Sequence, residues 1–149
     1  MDKMYFDILI DAPKEKVFDV MISKEHYNDW TTAFDPSSSF DGKWEKGAKL
    51  KFIGSGEDGA VYGMISEVED IVRGERVILK HIGIVANGVE DYTSDQVKKW
   101  APAYENYFFD AEDGKTRVRV EMETLEENKP YFVDTWPAAL QLLKTICEK

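Results

Sequence analysis

The stretch TWPAALQLLKTICEK, Thr135 to Lys149, decides how the rest of this chain must fold. Wound at 3.6 residues per turn, Phe132, Trp136, Ala139, Leu140, Leu143, Ile146 and Cys147 fall within an arc of about 120°, with Gln141, Lys144, Thr145 and Glu148 opposite. Such a stripe of bulky apolar groups needs a cover. Nearly everything upstream reads as short strands and turns, so the cover is a sheet wrapped around the helix. The expected class is α+β: a curved antiparallel sheet gripping a long C-terminal helix. Asn128 is a possible cap for that helix. Pro137 interrupts its period, and a kinked helix from about Pro130 to Glu148 is the preferred reading.

The remaining elements follow in order. Tyr5 to Asp11 alternates as a first strand with Phe6, Ile8 and Ile10 on one face. Asp11 is placed to cap, and Pro13 to begin, a helix to about Ile22, and Ser23 to start a second short helix toward Trp30. Trp30 to Phe40 reads as a loop whose two rings, Trp30 and Phe34, tuck against the mouth of the sheet. Strand signals recur at Lys49 to Ser55, Ala60 to Glu69 and Arg76 to Ile82. In the last of these, Val77, Leu79 and His81 share a face. The many glycines between Gly42 and Gly63 fit a strongly bent sheet. Asn87-Gly88 marks a turn, and Ser94 caps a short helix toward Trp100 that Pro102 ends. Tyr104 to Asp110 and Thr116 to Thr124 make a hairpin, with Val118, Val120 and Met122 alternating against charged neighbours.

Composition narrows the function. At 149 residues the chain is read as one domain, 1–149, long enough to keep a core. A formal charge of -10 argues against nucleic acid and anionic membranes as partners, since phosphate binding needs a basic face. The one cysteine, Cys147, sits on the apolar arc of the last helix, which makes it a buried structural thiol and fits a reducing cytoplasm. Met1 to Ile10 lacks an apolar run of signal-peptide or membrane-span length.

Several spellings stand out: Ile10-Asp11-Ala12-Pro13-Lys14-Glu15-Lys16-Val17-Phe18, Trp30 closing the second helix, Gly42-Lys43-Trp44-Glu45-Lys46-Gly47, Gly63-Met64-Ile65-Ser66-Glu67-Val68, Glu75-Arg76-Val77-Ile78, and Trp136-Pro137-Ala138-Ala139-Leu140 with Leu143-Lys144. Together they resemble the SRPBCC superfamily, the START-like or pollen-allergen-like helix-grip proteins. The branch resembled is that of the homologues of the heat-shock-protein-90 ATPase activator. The likeness spans nearly the whole chain and implies a helix-grip fold; the scaffold hosts ligand carriers, cyclases and co-chaperone domains alike. Ile84 to Ala101 departs from the usual short connection between strands, so an unusual cavity entrance is expected there.

Catalytic constellations are sparse. The two histidines, His26 and His81, share no metal-ligand spacing, so no metal and no cofactor are expected. His26 reads as solvated, and His81 as an interior residue or a ligand contact. Glu105 turns inward if Tyr107 and Phe109 do, as a polar contact or acid-base group; the preferred reading has the strand bulge and leaves Glu105 in solvent. Ser37 to Ser39 lack a nearby base and read as loop residues.

The expected site is therefore an apolar cavity between sheet and helix, lined by Trp30, Phe34, Phe52, Met64, His81, Tyr107, Val120, Trp136 and Leu140. The leading function is non-catalytic binding of a hydrophobic or amphipathic small molecule. The resemblance implies a second, a co-chaperone-like interaction module. A third is a cyclase or dehydratase acting on a polyketide-like substrate, with His81 and Glu105 as the acid-base pair. The sequence leaves the oligomeric state open.

Overall fold

Strand β1, Asp2–Ile10, opens the computed structural model, which describes residues 1–149. Two helices follow, α1 at Lys14–Ile22 and α2 at Tyr27–Thr31. Then come β2 (Ser39–Gly42), β3 (Lys49–Ser55), β4 (Val61–Val72), β5 (Arg76–Ala86), β6 (Val89–Asp91), the short helix α3 (Asp95–Lys98), β7 (Ala103–Glu112) and β8 (Lys115–Thr124). A 3-10 turn at Glu126–Asn128 leads into α4, Lys129–Cys147. The strands form one antiparallel sheet in the order β1-β8-β7-β5-β4-β3-β2.

The helix stripe is buried as its period requires. Trp136, Ala139, Leu140, Leu143 and Cys147 are enclosed, and Leu140 and Leu143 retain 1% and 0% of their surface. Each such side chain removed from water contributes about 1.5–3 kcal/mol, which makes this seam the main adhesive of the fold. Facing it are Val118, Val120 and Met122 of β8, Tyr107 and Phe109 of β7, and Val77 and Leu79 of β5, all within the same core. α1 closes one end with Val17, Phe18 and Met21, and the Phe18 ring meets Phe109 edge-on at 5.3 Å.

Three local expectations are corrected. Asp11 does not cap α1; its own N–H donates to Glu148 Oε2 at 2.8 Å, tying the start of α1 to the last turn of α4. Asn128 makes no side-chain cap bond, because the 3-10 turn before α4 already continues the coil. As expected, one helix runs through Pro137, from Lys129 to Cys147. The carbonyl of Val133, which Pro137 cannot satisfy, belongs to a turn whose Val133 side chain is 55% exposed, so water can reach that side of the helix. The third correction is β2, which lies where the sequence reads partly as loop and pairs Phe40 with Phe52 of β3.

Other signals hold. Ser94 Oγ accepts from the N–H of Val97 at the start of α3. Asn87 and Gly88, at φ 55° and 76°, form the left-handed pair that a tight hairpin turn between β5 and β6 requires. Gly63 is required by close approach: a Cβ there would stand 1.9 Å from the carbonyl oxygen of Phe52, so β3 and β4 pack backbone to backbone.

One irregularity shapes the interior. β4 pairs Ile65 with Gly83 and then Ser66 with His81, so Ile82 is an extra residue in β5. Just beyond it β7 gives way to β6 as the neighbour of β5, since His81 pairs with Ala103 and Ile84 with Asp91. The sheet parts there, and α3 with its flanks fills the gap.

Candidate functional site

Between the first half of α4 and the sheet lies a cavity of about 760 Å³. Its aromatic walls come from three directions: Tyr27, Trp30 and Phe34 from α2 and its following loop, Phe52 and Tyr107 from the sheet, and Phe132 and Trp136 from α4. Trp136 is the hub of this lining. Its ring lies 4.9 Å from Phe34, 6.0 Å from Tyr107, and 6.1 Å from both Phe6 and Trp30. Its indole N–H is buried with no hydrogen-bond partner, whereas that of Trp30 donates to the carbonyl of Met21 at 3.1 Å.

A side chamber of about 220 Å³ adjoins this space and shares Met64, Ile84, Gln96, Glu105, Asn128 and Phe132 with it. His81 and Trp100 line this chamber, their rings stacked at 5.6 Å and 16°. The extra residue at Ile82 is what lets His81 and Ile84, three positions apart, both face inward; strict alternation would put them on opposite faces. Gln96 and Trp100 belong to the segment whose departure from the usual connection marked an unusual entrance, and they supply part of the wall.

The polar end of the site is a chain of four side chains. Ser66 Oγ lies 2.5 Å from His81 Nδ1, His81 Nε2 lies 3.4 Å from Glu105 Oε1, and the Tyr107 hydroxyl donates to Glu105 Oε2. Ser66 and His81 are 0% and 3% exposed, and the Glu105 side chain 13%. If the Ser66 hydroxyl donates to Nδ1, Nε2–H is left to donate to Glu105, and every group in the chain has a partner. Burial, with the negative charge of Glu105 adding to it, pushes the Tyr107 phenol well above its ordinary value, so it stays a donor at neutral pH. Tyr27 is shifted the same way for the same two reasons. At the mouth, Asp35 accepts from the N–H and hydroxyl of Ser37, at 2.8 and 2.5 Å, and from the Tyr62 hydroxyl. These bonds hold its carboxyl below the usual range.

Of the nine residues expected to line the cavity, Trp30, Phe34, Phe52, Met64, Tyr107 and Trp136 border the main space and His81 the side chamber. Val120 and Leu140 do not. Both face the interior, but deeper between sheet and helix, where the packing is closed and they are 1% exposed. Glu105 is also corrected: β7 runs in unbroken register against β8, so Glu105 turns inward with Tyr107 and Phe109. His26 is partly exposed beside Asp29, away from both spaces, and Ser37 is a structural link from Asp35 to the N–H of Ser55. Tyr27, Asp35 and Gln96 also line the cavity, and in the sequence only their proximity to Trp30, Phe34 and Trp100 marks them. No group of histidine, cysteine and carboxylate side chains is assembled as a metal site.

A curved antiparallel sheet closed over a long terminal helix, with a cavity between them, defines a START-like helix-grip protein of the SRPBCC superfamily. Within it the chain belongs to the family described as Activator of Hsp90 ATPase homolog 1-like protein, whose sequence profile matches residues 11–148. Curated proteins give no sequence match. Solved structures share the fold at low identity. An uncharacterised protein from Rhizobium leguminosarum superposes with a TM-score of 0.74 at 14% identity, covering 99% of this chain and 94% of that one. The Aha1 of Colwellia psychrerythraea, solved as a dimer in solution, gives 0.68 at 17% identity over 99% and 97%. CalU16 from Micromonospora echinospora gives 0.66 at 14% identity, over 97% of this chain and 65% of its own. No helix is long and apolar enough to cross a membrane.

Proposed function

We propose that this protein binds a hydrophobic or amphipathic small molecule in the cavity between the sheet and α4. The observation that carries this reading is the space itself, about 760 Å³ walled by aromatic rings with polar groups gathered at its edges. The polar chain from Ser66 to Tyr107 is satisfied within itself, so it can hold the wall in place and offer Glu105 as an orienting contact. Non-catalytic binding is favoured over acid-base chemistry for the same reason. His81 and Glu105 do converge, as a cyclase or dehydratase would need, but both ring nitrogens of His81 are engaged by Ser66 and Glu105, and Ser66 is fully enclosed.

The test is a ligand screen by thermal shift and native mass spectrometry, with Trp fluorescence as the local reporter because Trp30 and Trp136 lie on the wall. A bound apolar compound that raises the melting temperature and alters Trp emission is expected. Silence from every apolar class would remove the reading. Family membership supports a second reading, association with a heat-shock chaperone. A pull-down and an ATPase assay with the purified chaperone decide it, and absence of both binding and stimulation would dispose of it.

A further inference from the structure

We infer that the ligand is a hydrophobic cation, an aliphatic or aromatic amine or a quaternary ammonium compound, whose head is received by Glu105 among the aromatic rings, with Asp35 adding negative charge at the mouth. This rests on the small-molecule reading above and specifies the chemistry of the guest.

The charges on the walls are of one sign. Asp35 and Glu105 line the main cavity, Glu105 and Glu123 the side chamber, and no Lys or Arg lines either space. Elsewhere on the molecule, acidic groups commonly have cationic partners: Asp19 pairs with Arg73, Asp70 with Arg76, Glu90 with Lys51, Asp110 with Arg119 and Glu112 with Arg117. The carboxylates of the site do not. Asp35 is held by Ser37 and Tyr62, and Glu105 by Tyr107 and His81, through bonds that fix their positions but bring no Lys or Arg to offset their charge. A permanent cation is the component this site lacks.

The walls suit the same head. Faces of Trp, Tyr and Phe carry negative charge density, and an ammonium shed of water gains most where several rings surround it. Trp30, Phe34, Phe52, Tyr107 and Trp136 line the same cavity as the two carboxylates. A fatty acid would bring its carboxylate into an apolar space already holding like charge, with no basic group to meet it. The formal charge of -10 adds a field that gathers cations and repels anions.

The test compares decylamine, decanol and decanoate, which share a tail and differ in the head, by calorimetry and Trp fluorescence at neutral pH and moderate salt. Decylammonium is expected to bind at least about tenfold more tightly than decanol, with decanoate weakest. Glu105→Gln should shrink the preference for ammonium over alcohol while sparing decanol. Asp35→Asn, whose amide oxygen still accepts from Ser37, gives a second reading at the opposite edge. Decanoate or decanol binding as tightly as decylammonium would overturn the inference and leave the small-molecule reading standing, as would a preference untouched by both variants. If none of the three bound, the inference would fall, while the small-molecule reading would stand or fall on the wider ligand screen. Met64→Trp, which fills the space, separates cavity binding from loose attraction to an acidic surface: ammonium binding that survived it unchanged would count against the inference.

Discussion

His81 Nε2 and Glu105 Oε1 lie 3.4 Å apart although their residues are not paired across the strands. Glu105 stands opposite Leu79 and His81 opposite Ala103, so the contact is a diagonal one, two residues off the ladder rung. Tyr107 completes it from the next inward position of β7. The polar edge of the cavity is therefore written into the register of two neighbouring strands, and small errors in that register would scatter it.

Glu105→Leu should leave the Tyr107 hydroxyl and the His81 ring without their common acceptor. A loss of about 1–3 kcal/mol is expected from urea unfolding, with Glu105→Gln losing less because its amide oxygen still accepts. A Leu variant as stable as the parent would mean that the carboxylate does not hold this wall.

Leu140 and Phe34 separate core from cavity wall. Leu140→Ala empties a closed site under the sheet and should cost about 2–5 kcal/mol. Phe34 is half-buried at the mouth, so Phe34→Ala should cost about 1 kcal/mol while changing ligand affinity and Trp emission. Denaturant midpoints and a ligand titration on the two variants check the contrast.

Cys147 should be inert in the native state. Its side chain is fully enclosed, and burial pushes the thiol up to about 11, with the nearby Lys16 pulling weakly the other way. At neutral pH little thiolate exists and none is reachable. Reaction with a disulfide reagent should be slower by about a hundredfold or more than in urea, where the rate becomes that of an ordinary thiol.

Acid should loosen the fold through its surface carboxylates. Bonds from Tyr92 and Lys51 lower Glu90 from 4.5 to about 2, and Arg76 and Arg117 lower Asp70 and Glu112. A folded-state value below the unfolded one means the unfolded chain takes up protons first. The stabilisation is complete above about pH 4.5 and is lost as pH falls toward about 2. These groups are exposed, so the urea midpoint should fall gradually over that window and the effect should shrink in high salt.

The sequence makes the helix stripe from Trp136 to Cys147 legible because a 3.6-residue period survives any detail of tertiary packing. The β7–β8 hairpin and the Ser94 cap are legible for similarly local reasons. Depth along the stripe is another matter: Leu140 and Trp136 share a face, but which turn meets the cavity depends on where the sheet opens. The inward turn of Glu105 is not legible, because a carboxylate next to solvent-facing neighbours gives no local sign that Tyr107 and His81 await it. The extra residue in β5 is invisible among Lys80-His81-Ile82-Gly83-Ile84, where a small residue and two isoleucines fit either face.

Ile82 also gives the cavity a dependence on chain length. Insert one residue after His81 while the bulge still absorbs only one, and Ile84 would swing to the outer surface while His81 stayed where it is. Relatives that carry a single insertion there should hold differently shaped interiors even where every other lining side chain is unchanged.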